Sequence, residues 1–273
     1  VESYDGSAMV SSGVMSNEPG GPDAPPNNVM SVVMTTEGVF DYVCLLHPQM
    51  TGTVTVVANN ADADSQADID AMAAVEEAAL RAQIAAVRGA GAMVQSEAGP
   101  NGTTIWHVNA GPTGFDNQLE LYEFMADSLT IQEGVTVIWA NTALSIHTVT
   151  FHPGQLQPEF VIPEFQEAGP PILVANPFAV FPVKPTAEFD GTGYRNSGIM
   201  SGFGGPGESS FSMTFSTADS FDYICAIHQP LGMEATITVV ERTTSVVSQL
   251  NGLAAQFPEG MAIDENCTLF AGL

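Results

Sequence analysis

The sequence predicts a mainly β fold in which one helical segment separates two β regions. Apolar residues alternate at Val135, Val137 and Trp139, as is typical of strands that are buried on one face. A segment containing a cysteine and a histidine occurs twice, and each copy continues into a run of threonine and valine. Between the copies lies an alanine-rich stretch with apolar residues near helical spacing.

The repeated segment defines the organisation of the chain. Residues 40–57 read FDYVCLLHPQMTGTVTVV, and residues 221–240 read FDYICAIHQPLGMEATITVV. The Phe, Asp, Tyr, Cys and His coincide at an offset of 181, whereas the Met and the following strand coincide at 183. Because Cys44 and Cys225 stand in matching contexts, we expect them to share a chemical role.

The repeat predicts the domain boundaries. The second unit begins near Thr103 and contains His147, 78 residues before Cys225. The equivalent of His147 in the first unit would fall before residue 1, so we expect this chain to contain only part of that unit. The predicted regions are the C-terminal half of a first domain (1–60), a helical linker (61–100), a complete domain (101–242) and the start of a further domain (243–273).

The alanine-rich stretch, residues 62–96, predicts a helix. Ser65 with Asp68 three residues later is a helix-start pattern, and Gly89 and Gly91 provide a stop. We interpret it as a spacer; a helix that binds a partner is the alternative.

The charge balance excludes one class of function. The chain has 31 Asp and Glu against five Lys and Arg, a net charge of −26. Binding nucleic acid requires basic residues that neutralise phosphates, so we expect no nucleic-acid partner. The acidity fits a basic protein partner, a salty habitat or solubility. No apolar run approaches the ~20 residues of a membrane helix, and membrane association is left open.

Cys225, His228 and Met233 form the clearest chemical motif. A thiolate, an imidazole and a thioether within nine residues are a soft ligand set, which selects copper over magnesium or calcium. A second imidazole would complete a trigonal plane, with Met233 as the long axial ligand.

The fourth ligand is predicted by context among five histidines. His107 stands in an opening strand and is expected to be structural, and His152 begins a loop. His147 follows a turn-like segment and enters a strand, so it is the predicted ligand. Thr148 and Asn141 are the predicted groups that support the ligand loops.

The first unit contains Cys44, His47 and Met50, but no other histidine precedes Cys44. Three ligands on one loop do not make the trigonal plane. We therefore expect this site to be empty or weakly occupied in this chain; completion by His107 or His152 is the alternative.

These residues resemble the cupredoxins, the family of plastocyanin, pseudoazurin, amicyanin and halocyanin. Cys225, His228 and Met233 have the plastocyanin and pseudoazurin spacing, and Cys44, His47 and Met50 the shorter amicyanin spacing. The resemblance implies a Greek-key β-sandwich, a type 1 blue copper site (Cu+/Cu2+) and electron transfer outside the cytoplasm, in the periplasm, at the cell surface or after secretion. The tail, through Phe257 and Leu269, resembles a blade opening of gluconolactonase-like and NHL-type β-propellers.

The predicted function is electron transport rather than catalysis. Copper oxidases and nitrite reductases of this family have histidines next to the type 1 cysteine, whereas Ile224 and Ala226 flank Cys225. The expected partner is a redox protein, a basic one such as a cytochrome if the acidity serves docking. The alternatives are a copper storage or delivery module, and an electron-delivering domain of a larger oxidoreductase.

Overall fold

The computed structural model describes residues 2–15, 19–21, 24–47, 49–91, 95–114, 119–168, 171–184, 186–202, 209–242, 261–263 and 269–271. The chain forms two compact units. The first comprises residues 1–86 with 114–119, and the second comprises residues 87–113 with 120–273.

The first unit contains three small two-stranded sheets and most of one helix. Its strands are β1 (Glu2–Tyr4), β2 (Pro19–Gly21), β3 (Ala24–Pro26), β4 (Val32–Met34), β5 (Gly38–Val43) and β6 (Thr51–Val56). Strands β1 and β4 pair in parallel, whereas β2 with β3 and β5 with β6 pair antiparallel. The β5–β6 hairpin contains the first copy of the repeat, with Val43 opposite Thr51.

The helix, α1 (Gln66–Gly91), lies within the alanine-rich stretch that predicted it. The hydroxyl of Ser65 accepts a hydrogen bond from the backbone amide of Asp68 at 3.3 Å. The carboxylate of Asp68 accepts one in return from the backbone amide of Ser65 at 2.9 Å. This reciprocal capping satisfies donors that the first turn would otherwise leave unpaired. The linker role and the domain boundaries remain predictions.

The second unit contains the two large sheets. Its elements are β7 (Gln95–Ala98), β8 (Thr104–Ala110), β9 (Phe124–Met125), β10 (Ser128–Gln132), β11 (Val135–Asn141), β12 (Ile146–His147), β13 (Thr150–Phe151), β14 (Val161–Glu164), β15 (Ile172–Ala175), α2 (Pro177–Val180), β16 (Glu188–Phe189), β17 (Arg195–Asn196), β18 (Met200–Ser201), β19 (Ser210–Phe215), β20 (Asp219–Ile224) and β21 (Glu234–Val240). One sheet has the order β10-β21-β20-β13-β17, and the other has the order β16-β19-β11-β8-β7, with β9 also paired to β8.

The core lies between these two sheets. Strand β11 alternates buried and half-buried residues along its whole length, as the sequence pattern predicted. Trp139, from the six-stranded sheet, packs edge-on against Phe151 and Tyr223 of the five-stranded sheet, with ring centroids 5.8 and 5.5 Å apart. The predicted all-β sandwich is confirmed for this unit.

The long segment between His152 and Ser210 contributes several short strands to this unit. Strands β14 and β15 pair with each other as an antiparallel hairpin. Strand β16 extends the six-stranded sheet, β17 extends the five-stranded sheet, and β18 pairs with β12. The segment therefore supplies an edge to each sheet and a partner for the short strand that carries His147.

The tail contains a short hairpin, which is described only by its backbone. Strands β22 (Met261–Ile263) and β23 (Leu269–Ala271) pair antiparallel. Their turn and the rest of residues 243–273 lie outside the described residues, so the further domain remains a prediction. No helix within the described ranges is both long and apolar enough to cross a membrane.

Candidate metal centre

Three of the four predicted ligands converge where the ends of different strands meet. His147 is the last residue of β12, and Cys225 directly follows β20. His228 precedes a 3-10 turn at Gln229–Leu231, and Gly232 ends that turn with a φ of 90°. Because glycine adopts this left-handed conformation without strain, the chain can turn sharply at Gly232 and continue directly to Met233.

The three donor atoms form a compact triangle. The Sγ of Cys225 lies 3.8 Å from Nδ1 of His147 and 3.6 Å from Nδ1 of His228. The two Nδ1 atoms lie 3.2 Å apart. His147 and Cys225 are fully buried, and His228 is 6% exposed.

This triangle fits a metal ion. A point equidistant from the three atoms lies about 2 Å from each, close to the roughly 2.0–2.3 Å bonds that imidazole nitrogen and thiolate sulfur make to transition metals. Two imidazoles and one thiolate in a plane are the donor set of type 1 copper. The residues present therefore fit copper.

Met233 is placed beside this triangle by its backbone. Its carbonyl accepts a hydrogen bond from the backbone amide of Cys225 at 3.0 Å, and its own amide donates to the carbonyl of His228 at 3.2 Å. The Met233 side chain is fully buried in the same apolar core as Cys225. Met233 therefore lies on the same loop as Cys225 and His228, with its side chain in the core that encloses the cysteine.

The electrostatics of the site favour a thiolate. Burial by itself raises the pKa of the Cys225 thiol, but hydrogen bonds and positive charge from His147 and His228 outweigh it and lower the pKa to about 5. Burial lowers the pKa of His147, but Cys225 and Glu120 outweigh it and raise the pKa to about 9. The thiolate is the form that binds metal, so Cys225 is poised as a ligand at neutral pH.

Thr148 and Asn141 lie where the sequence placed them, next to the ligand loops. The Thr148 backbone amide points at Sγ of Cys225 at 3.4 Å, and its hydroxyl accepts a hydrogen bond from the amide of Ala226 at 2.7 Å. The Asn141 amide donates to the carbonyls of Ser145 and Met200, both at 2.9 Å. Thr148 therefore stabilises the loop that carries Cys225, and Asn141 stabilises the loop that leads to His147.

A chain of hydrogen bonds connects Thr148 to the long segment between His152 and Ser210. The Thr148 hydroxyl lies 3.0 Å from that of Thr150, which donates to Oδ1 of Asn196 at 3.0 Å. The buried Asn196 amide in turn donates to the carbonyls of Phe178 and Ala179, both at 2.9 Å. Through Thr148, this long segment therefore stabilises the loop that carries Cys225.

Sequence reasoning missed three residues that contact the histidines. A carboxylate oxygen of Glu120 lies 2.6 Å from Nε2 of His147. The Tyr122 ring stacks on His228, with centroids 4.2 Å apart and an interplanar angle of 15°. A Cβ at Gly111 would lie 2.2 Å from Nε2 of His147, so a side chain there would collide with the ring. These residues precede His147 by 25 to 36 positions and form no motif with it, so only the fold brings them together.

The other histidines of the second unit have different neighbours. Nε2 of His107 lies 3.4 Å from a carboxylate oxygen of Glu97 on the adjacent strand. Nδ1 of His152 lies 3.0 Å from the carbonyl of Gln155, in a loop. Neither residue is part of the donor triangle.

The predicted ligands of the first unit, Cys44, His47 and Met50, form only part of a copper site. Sγ of Cys44 lies 3.4 Å from Nδ1 of His47, and both residues are half-buried. The Met50 side chain is 63% exposed. Among the described residues, the single group of three metal-ligating side chains is His147, Cys225 and His228.

The chain is similar to known proteins over its second unit. Residues 113–240 match the model of the plastocyanin/azurin family of copper-binding proteins. A comparison with curated protein sequences gives no match. An oxidised plastocyanin from Dryopteris crassirhizoma is 19% identical, covers 49% of this chain and 99% of its own, and has a TM-score of 0.30. A purple cupredoxin from Nitrosopumilus maritimus is 16% identical, covers 49% and 98%, and has a TM-score of 0.26. A copper(I) amicyanin variant is 18% identical, covers 49% and 80%, and has a TM-score of 0.27.

Proposed function

Because this chain carries a domain of the plastocyanin/azurin family of copper-binding proteins at residues 113–240, we propose that it is a blue copper protein that transfers single electrons between redox partners. The observation that carries the proposal is the buried triangle of His147, Cys225 and His228. Bound copper would supply the one-electron couple between Cu(II) and Cu(I). His147, Cys225 and His228 would hold the metal, and Met233 would add a weak thioether ligand.

The chain's own residues would keep the ligands from moving. His147 and Cys225 are fully buried, and backbone hydrogen bonds join Cys225, His228 and Met233 within one turn. Well-packed side chains resist displacement. A site whose ligands barely move has little to reorganise when the charge of its metal changes, which suits fast electron transfer.

His228 provides the route to the surface. It is buried to 6% exposure, but the residues that follow it, Pro230 and Leu231, are exposed. The loop that carries His228 therefore continues directly into an exposed apolar patch that a redox partner could contact. We propose this patch as the electron port.

The experiment that tests this function is loading with copper. The purified chain should bind one copper tightly, show an intense visible band and give a reversible one-electron wave in voltammetry. A colourless protein that takes zinc in preference to copper would contradict the proposal. Rapid loss of copper to a competing chelator would favour storage or delivery, which requires an exchangeable site.

The partner and the location are further parts of the proposal. We propose a redox protein partner and a place outside the cytoplasm, consistent with the family, and a carrier rather than a catalytic role. The net charge of −26 supports a basic partner such as a cytochrome. Electron delivery within a larger oxidoreductase is the alternative form of the same role.

Salt dependence tests the partner. The rate of electron exchange with a basic cytochrome should fall steeply with added salt, because the Debye length shortens from ~30 Å at 0.01 M to ~10 Å at 0.1 M. A rate that does not change with salt would mean that docking relies on the apolar patch at Leu231.

A further inference from the structure

The side chain of Glu120 contacts Nε2 of His147, whereas Nδ1 of the same ring faces Cys225. Its Oε1 is 2.6 Å from Nε2 of His147, and the Glu120 side chain is 16% exposed. The hydroxyl of Ser145 donates to the same oxygen. Ser145 is itself buried, so the carboxylate is held among donors with little access to water.

This contact fixes the proton on the His147 ring. A neutral imidazole has a proton on one nitrogen and a lone pair on the other. Nδ1 of His147 faces Cys225 at 3.8 Å, so the lone pair must be there if the ring is to bind a metal. The proton then lies on Nε2, which donates it to Glu120. A carboxylate can only accept at this position, and it therefore selects the tautomer that binds metal.

The contact also fixes the position of the ring. The backbone of Gly111 packs so closely against Nε2 that a Cβ there would lie 2.2 Å away. Glu120 is held in turn by an antiparallel bridge between Thr113 and Glu120. Backbone and carboxylate together confine one edge of the imidazole, which leaves the other edge directed at Cys225.

The two histidines differ in their surroundings. His147 has a carboxylate at Nε2, whereas the ring of His228 is stacked on the aromatic ring of Tyr122. The negative charge is therefore one imidazole away from the metal position, in a region where water screens it weakly. A fixed negative charge stabilises the more positive, oxidised metal over the reduced metal.

We infer that Glu120 is a positioning residue that holds His147 in its metal-binding tautomer and lowers the reduction potential of the site. This inference rests on the proposed blue copper function. It adds a determinant of the potential, at His147, to the one expected at Met233.

The decisive variant is Glu120→Gln, which keeps an accepting oxygen and nearly the same shape but removes the charge. We expect the variant to stay blue, and its preference for Cu(II) over Cu(I) to fall about tenfold. A tenfold change corresponds to a potential rise of about 59 mV for one electron. The measurement is voltammetry of the copper-loaded protein beside its visible spectrum.

Glu123→Gln is the matched control. Glu123 lies three residues further along and pairs with Arg88 on the surface, so this variant removes the same charge without touching His147. We expect a clearly smaller shift. Equal shifts of the potential in the two variants would overturn the inference, because any lost negative charge would then have the same effect. No shift in Glu120→Gln would also overturn it.

A second measurement needs no variant. In nitrogen NMR of the diamagnetic Cu(I) protein, Nε2 of His147 should carry a slowly exchanging proton. A proton on Nδ1 instead would overturn the tautomer assignment, whatever the potentials show. A colourless wild-type protein would instead count against the proposed function, so the two failures are distinguishable.

Discussion

The β5–β6 and β20–β21 hairpins carry Cys, His and Met in the same order, and their loops share a backbone hydrogen bond. The amide of Cys44 donates to the carbonyl of Met50 at 2.8 Å, and that of Cys225 donates to Met233 at 3.0 Å. Both hairpins also have a threonine that donates to an aspartate on the facing strand at 2.7 Å, Thr53 to Asp41 and Thr236 to Asp222.

The two hairpins differ in what covers them. Tyr223 is fully buried in the sandwich, whereas its counterpart Tyr42 is 62% exposed. The β20–β21 hairpin is extended on both sides by β13 and β10, whereas β5 and β6 form a two-stranded sheet. The β20–β21 loop also receives His147 and the amide of Thr148 from other strands.

The comparison separates two contributions to a metal site. The local sequence specifies the loop that carries a cysteine, a histidine and a methionine. The surrounding sheets supply the second imidazole, a donor to the sulfur and the exclusion of water. Variants at matched positions of the two hairpins can test this separation.

The largest effect is expected at the cysteines. Cys225→Ser should abolish the visible colour, because the thiolate bond that gives rise to it is lost. Cys44→Ser should leave the band unchanged. Visible spectra of the copper-loaded variants decide the point, and loss of the band in Cys44→Ser would show that the two hairpins have been assigned the wrong roles.

The copper count tests the same difference without a mutation. Titration should give one tightly bound, coloured copper per chain, because the described residues offer three converging ligands at the second hairpin alone. His47→Ala should not change this count. A second stoichiometric coloured copper that disappears in His47→Ala would contradict the prediction.

The next largest difference is expected in how much each hairpin contributes to the stability of the protein. Ile237→Ala should lower the free energy of unfolding by about 2–5 kcal/mol, because Ile237 is fully buried and its truncation leaves a cavity. The matched change Val54→Ala should stay within about 0.5 kcal/mol, since Val54 is largely exposed. Denaturant unfolding monitored by far-ultraviolet circular dichroism, which reports on both units, measures both changes. Equal losses would mean that the first hairpin is packed in solution.

The smallest effect is expected at the methionines. Met233→Leu should keep the copper and raise the reduction potential, because a weak donor to the oxidised metal is lost. A tenfold weaker preference for Cu(II) would appear as about 59 mV. Met50→Leu should leave the potential unchanged, and loss of copper in Met233→Leu would show that Met233 is not an axial ligand.

The sequence by itself determined strand β11, the helix and the ligand loop. Alternation identified β11, the Ser65 and Asp68 pattern identified the start of α1, and the Cys225, His228 and Met233 spacing identified the loop. These features depend on neighbours within a few residues, since backbone hydrogen bonds and side-chain periodicity are local.

Only the tertiary structure decided how the site is enclosed. Glu120, Tyr122 and Gly111 reach the two histidines because β8, the segment before β9 and β12 meet at one end of the sandwich. Their separation in sequence carries no periodic signal. The same is true of the difference between Cys44 and Cys225: one local pattern gives two outcomes, because burial and a distant imidazole come from how the sheets pack.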